Sequence, residues 1–184
     1  FSGPYAMPTN GPPGEVGATY SFVHKNALVI GLDECENHGV GMDLLWLERE
    51  LSGKRQSHIF VLGHYPAFSA GHDDILGGTY ERRDMFWKKL QSAGCNAYFC
   101  GHDHLYDHVQ VGSSDSNSSH KVHQFIAGTA GASLKKNKSK YRDADAWVIE
   151  PLFGERQYGY LLVEDNGSEA IATWKHRKGP AEYE

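Results

Sequence analysis

The feature that most restricts the fold is an alternation through the first half of the chain. Three short apolar runs, "ALVIG" (27–31), "HIFVLGH" (58–64) and "NAYFCGH" (96–102), are separated by stretches whose apolar residues fall at helical spacing. Ala27-Leu28-Val29-Ile30 is continuous rather than alternating, as in a strand covered on both faces. In "GMDLLWLEREL", Leu44, Leu47 and Leu51 fall at i, i+3 and i+7 with Leu45 beside them, and Gly53 closes the segment. "ERRDMFWKKLQSAG" places Met85, Phe86, Leu90 and Ala93 on one side, with Gly94 as the stop. A β-α-β-α-β series returns the chain to the same edge after each helix. It therefore predicts an α/β fold with parallel strands and helices packed on them.

The flanking segments differ. Residues 1–19 hold Pro4, Pro8, Pro12 and Pro13 and four glycines, the composition of an irregular arm. "YSFVH" precedes the first apolar run across a Lys25-Asn26 turn. After residue 105, "YDHVQV", "HQFIAG", "YGYLLVED" and "EAIATWKH" are short strand candidates expected to pair antiparallel, the last two joined at Asn166-Gly167. "GSSDSNSSHK" (112–121) and "LKKNKSKYRDADAW" (134–147) are expected as loops, the run Lys135–Lys138 in solvent. With no internal repeat, 184 residues make a single domain, 1–184.

Composition removes several classes of partner. A net charge of −5 gives no basis for nucleic acid or an anionic membrane. No apolar run approaches the roughly 18 residues of a membrane helix. Cys35, Cys95 and Cys100 form no CxxC pair and suggest neither a disulfide framework nor a thiolate metal site. The chain begins at Phe1 with no visible signal peptide, which suggests a front end processed, engineered or lost; the compartment is left open.

The chemistry gathers at strand ends. "VLGH" and "FCGH" both place Gly-His after a strand, and His104 follows in "CGHDH". In open α/β sheets the ligand crevice lies at the carboxyl ends of the strands. Parallel neighbours would put His64, His102 and His104 into one crevice, and three imidazoles suit zinc, iron or manganese. The glycines are expected to let the backbone turn sharply. His72, in "SAGHDD", lies within reach. His108 is expected to line a cavity or be buried. His24, His38, His58, His120, His123 and His176 are expected to be exposed or structurally satisfied. Asp33 is not expected to be a ligand, and Asp103 is expected to point away from the ligands His64, His102 and His104 and cap the turn.

"GHYPAFS" and "LQSAGCNAYFCGHDHLYDHVQ" resemble the calcineurin-like metallophosphoesterases, in particular the purple acid phosphatase branch with its small tartrate-resistant acid phosphatases. "MPTNGPPG", "YSF", the Trp46-Leu47 helix, "FIAGTAGAS" and "YGYLLVED" extend the resemblance over about residues 5–176. It implies a partial αββα sandwich and a phosphomonoesterase, acid phosphatase-like, with two divalent or trivalent metal ions (Fe, Mn or Zn). Carried over by motif, His64 and His102 would ligate one metal, a divalent one, and His104 the other. A metal-bound hydroxide would attack phosphorus, and His72 would be the catalytic proton donor to the leaving group.

The family's other ligand motifs, a first Asp, Gly-Asp-x-x-Asp/Tyr and Gly-Asn-His-Asp/Glu, do not occur. "GLDECENHG" has Asn37-His38 but no glycine before it. The resemblance is thus to the C-terminal portion, with only part of a dinuclear site. Two readings follow: a hydrolase acting on phosphate esters, or a non-catalytic relic or partner-binding module that retains the fold. Half a sandwich would leave a sheet face open, which implies a homodimer or a complementing N-terminal half.

Overall fold

The computed structural model describes residues 6–34, 42–53, 56–74, 76–115, 119–138, 141, 144–179 and 182–184. Cys35 and His38 lie outside the described residues. Strands β1 (Tyr20–His24) and β2 (Ala27–Gly31) form an antiparallel hairpin whose turn holds Lys25 at φ +53°. Helix α1 (Leu44–Leu51) leads to β3 (His58–Leu62), and helix α2 (Tyr80–Ser92) leads to β4 (Ala97–Cys100). β2, β3 and β4 are adjacent and parallel, as the alternation requires.

Beyond β4 lie β5 (Tyr106–Ser113), β6 (Val122–Ala127) and β7 (Trp147–Glu155), which complete a seven-stranded sheet of order β1-β2-β3-β4-β6-β5-β7. β5 pairs antiparallel with β6 and β7, but β6 pairs parallel with β4. The expectation of purely antiparallel strands after residue 105 is corrected here: β5 swings outward and the hairpin returns β6 to the open edge of β4. β7 overlaps the expected 134–147 loop at Trp147. Its Pro151 hides a strand from periodicity, and the structure tolerates it on an edge strand where the register skips Leu152. A separate sheet, β10-β9-β8, joins β8 (Gly159–Asp165), β9 (Ala170–Gly179) and β10 (Glu182–Tyr183).

Alternation along the central strands divides the core. Leu28, Ile30, Ile59, Val61 and Tyr98 pack against Trp46, Leu47, Phe86, Trp87 and Leu90 of the helices. Phe60, Ala97 and Phe125 face the other way, toward Leu161 and Trp174 of the small sheet. The order is therefore helices, large sheet, small sheet. The outward positions Tyr160, Leu162 and Ile171 are exposed, so the outer helical layer of an αββα sandwich is absent among the described residues.

Both helices begin at side-chain caps, Asp43 accepting from the Leu45 and Trp46 amides and Thr79 from the Arg82 amide. Two apolar residues placed on the buried faces by spacing point out instead: Leu45 is 74% and Met85 51% exposed. Their places are taken by Trp46 and by Arg83, which is buried between the Phe68 and Tyr80 rings and forked onto Asp84.

Trp87 is fully buried against Phe68, Phe86 and Tyr98. Trp87→Ala is expected to lower stability by about 3–5 kcal/mol in urea unfolding, and Leu45→Ala by less than about 0.5 kcal/mol. Similar losses for both would contradict this placement of the core.

Candidate active site

Parallel pairing of β3 and β4 continues past the strand ends. The Gly63 amide donates to Phe99 O at 3.0 Å, and the Gly101 amide to His64 O at 3.0 Å. The two Gly-His ends are thereby held side by side, with His102 Nδ1 3.2 Å from His64 Nε2. His104 follows after tight bonds from the Asp103 amide to Gly101 O and from the Leu105 amide to Asp103 O. His72 comes from the loop after β3, its ring centroid 4.7 Å from that of His102 and 5.9 Å from that of His104. Tyr65 packs on both strand-end imidazoles, at 5.0 Å from His64 and 4.4 Å from His102. Asp74 Oδ2 lies 2.7 Å from His102 Nε2, a partner with no signal in the sequence.

Two buried carboxyl groups support this surface. Asp103 is fully buried. Its Oδ2 accepts from the Ser69 hydroxyl and the Ala70 and Gly71 amides at 2.7–2.9 Å, and its Oδ1 from the His72 amide at 2.9 Å. Oδ1 also lies 2.7 Å from His72 Nδ1. The turn that Asp103 caps is thus the distant 69–72 loop. With Asp103 ionised, His72 donates Nδ1–H and keeps Nε2 free. A side chain on Gly128 would meet Asp103 O at 2.1 Å, which is why the "AGTAG" stretch passes here as glycine.

Glu34, after β2, is the second. Its Oε2 accepts from the His64 and Tyr65 amides at 2.7 and 2.6 Å, and its Oε1 bonds the Tyr98 hydroxyl at 2.5 Å. Burial pushes its carboxyl up to about 7, against the opposing effect of these hydrogen bonds. The glycine before His64 is explained by this close approach, since a Cβ there would lie 2.0 Å from Glu34 Oε1. A Cβ on Gly101 would meet only Gly128 Cα at 3.8 Å, and the left-handed residue at that end is His102 itself, at φ +58°. The expectation that both glycines serve the turn is corrected accordingly.

Partial burial, and then the neighbouring His102 and His104, lower the His64 imidazole below its usual value, which favours its neutral, ligating form. The donor chemistry suits a borderline metal, but the geometry is incomplete: among the described residues no three His, Cys, Asp or Glu side chains surround a common point. His102 Nε2 is occupied by Asp74 and His72 Nδ1 by Asp103. The residues present do not fit a two-metal centre by themselves.

The other histidines lie elsewhere. His24 is exposed, and His176 sits between Glu155 and Glu184. His108 and His123 line a cavity of about 400 Å3 between the two sheets, with His58, Phe60, Phe99 and Phe125. His108 Nε2 lies 2.8 Å from His123 Nδ1, and burial lowers His108 to about 4. His120 bonds Cys95 O. His58 is buried rather than exposed, with no hydrogen bond at either ring nitrogen and Asp165 Oδ1 3.7 Å from Nε2. Asp33 is beside Glu34, its amide on the Thr19 hydroxyl. Lys135, Lys136 and Lys138 are exposed, although the Lys135 and Lys138 amides are bonded to His104 O and Ala70 O.

No protein-family model matches the chain. The chain is distantly similar to tartrate-resistant acid phosphatase type 5 of Homo sapiens, 28% identical over 138 residues, which are 74% of this chain and 39% of that protein. The Sus scrofa protein of the same name is 25% identical over 74% of this chain and 37% of its own length. The chain thus spans about two fifths of the relatives it matches. Among solved structures, a purple acid phosphatase from yellow lupin (Lupinus luteus) seeds superposes with a TM-score of 0.61 at 13% identity, over 86% of this chain and 30% of that one. PhoD gives 0.60 at 12% identity, over 91% and 40%. GAP50, the anchor in the inner membrane complex of Plasmodium, gives 0.55 at 17% identity, over 90% and 52%. At these identities the structures show a shared fold.

Two outcomes are expected. Gly63→Ala should destabilise the chain by about 1–3 kcal/mol, and Gly101→Ala by less, in denaturant titrations. His108 stays neutral in the fold down to about 4, whereas in the unfolded chain it takes up a proton below about 6.5. Its contribution to stability is therefore complete above that pH and is lost as pH falls toward 4. His108→Phe should flatten this part of the stability profile; an unchanged slope would contradict a neutral His108.

Proposed function

We propose that this chain supplies the imidazole face of a phosphomonoester hydrolase site. The observation that carries the reading is the convergence of His64, His72, His102 and His104 at two parallel strand ends, with His72 fixed by a buried carboxylate. The similarity to acid phosphatases supports it. His64 and His102 would hold one divalent metal and His104 a second, completed by groups beyond the described residues. Bound there, a metal supplies Lewis-acid polarisation of the phosphoryl oxygens.

The chain's own residues have separate tasks. Tyr65 walls His64 and His102 on one side and restricts their rotation. Asp103 holds His72 Nδ1, so that Nε2 can carry a proton toward a leaving oxygen as water bonds to phosphorus and the ester P–O bond breaks. The buried anion stabilises the imidazolium that this transfer requires.

A second reading, a non-catalytic module that binds a partner, is favoured by the incomplete ligand set. It also has a parallel in the similarity to a protein described as an anchor.

Metal equivalents per chain, measured by mass spectrometry after incubation with Mn2+, Zn2+ or Fe2+, separate the two together with hydrolysis of p-nitrophenyl phosphate and glycerol phosphate. The hydrolase reading expects bound metal and turnover, both lost in His64→Ala and His102→Ala. His72→Ala should cost about 100-fold or more on glycerol phosphate, whose alkoxide needs a proton, and much less on p-nitrophenyl phosphate. No metal and no turnover would leave the module reading.

A further inference from the structure

We infer that Glu34 is the positioning residue of His64, and that the socket it fills is shaped for a side chain that both accepts and donates hydrogen bonds. Glu34 belongs to no motif, and only 6% of its surface is exposed. One oxygen gathers two consecutive amides, those of His64 and Tyr65. These amides point into the protein, which turns the His64 and Tyr65 side chains toward His102. The other oxygen meets the Tyr98 hydroxyl, which is also 2.6 Å from Tyr65 O. That hydroxyl has one hydrogen and two oxygen neighbours. Tyr98 can give its hydrogen to Glu34 Oε1 or to Tyr65 O, and a group at the Glu34 Oε1 position that donates back would make both contacts hydrogen bonds at once. The chain closes so tightly that Gly63 leaves no room for a methyl group, as a Cβ would lie 2.0 Å from Glu34 Oε1 and 2.4 Å from the Tyr98 hydroxyl. Glu34, Gly63 and Tyr98, from three separate segments, thus form one device under the first strand-end histidine.

This makes an unusual demand on substitutions. Glutamine reproduces the whole pattern: its carbonyl accepts from the His64 and Tyr65 amides, and its NH2 donates to Tyr98. Aspartate keeps the carboxyl but is one methylene too short to reach both amides and the hydroxyl. Alanine leaves two buried amides without an acceptor. The expected order of tolerance is therefore Gln, then Asp, then Ala, which a requirement for negative charge would not give.

The test uses the full chain without metal. The readout is the contact between the His64 and His102 rings by NMR, with the His108–His123 pair in the cavity between the two sheets as internal control. Glu34→Gln should keep both contacts. Glu34→Ala and Glu34→Asp should lose the His64–His102 contact and keep His108–His123. If Glu34→Ala fails to fold, the comparison of Gln with Asp decides. Retention of the His64–His102 contact in Glu34→Asp, or its loss in Glu34→Gln, would overturn the inference. A Zn2+ titration of the same variants rests on the hydrolase reading: Ala should weaken binding about 10-fold or more, as loss of a ligand's supporting partner does, and Gln should leave it near wild type. If wild-type protein takes up no Zn2+, the hydrolase reading fails while the NMR result still decides the role of Glu34.

Discussion

Everything at the candidate site depends on the in-register parallel pairing of β3 and β4 and its extension beyond the strands. Leu62 opposes Phe99, and the ladder then runs on through the Gly63 and Gly101 amides. That extension brings two histidines far apart in sequence to within 3.2 Å. It is secured from behind by the helical face of the sheet, where Ile59, Val61 and Tyr98 are fully or almost fully buried against Phe86, Trp87 and Leu90. Burial of both strand faces excludes a one-residue slip, because a slip would exchange Phe60 with its helix-facing neighbours.

The loops that carry the chemistry are seated on the core through Ala67, Phe68, Ala70 and Leu105, and their backbone amides are held by buried carboxyl groups. Asp103 gathers the 69–72 loop, and Glu34 gathers the turn at His64 and Tyr65. In both cases backbone amides that would otherwise be unsatisfied find an acceptor. The partly exposed side chains therefore stand on a rigid base while remaining open to a ligand.

The relation to acid phosphatases and the incomplete ligand set are compatible. The chain matches about two fifths of its relatives' length, and the described residues contain imidazoles without a full coordination shell. The same fold occurs in proteins described as a phosphatase and as an anchor, so fold alone does not decide between activity and binding. The state of His64, His72, His102 and His104 does.

The sequence by itself determined the strand–helix alternation, the two Gly-His ends and the Asn166-Gly167 hairpin, because these depend on local periodicity and turn chemistry. It placed His64, His102 and His104 at one edge because parallel neighbours share a carboxyl end. It could not show that β6 rather than β5 lies beside β4, or that Pro151 belongs to an edge strand, because those outcomes are settled by competition among distant strands. Nor could it show the roles of Glu34, Asp74 and Asp103 or the buried His58. A carboxylate in a loop looks the same in sequence whether it meets water or a set of converging amides. Only the tertiary structure decides which, by fixing what lies opposite it and how much water is excluded.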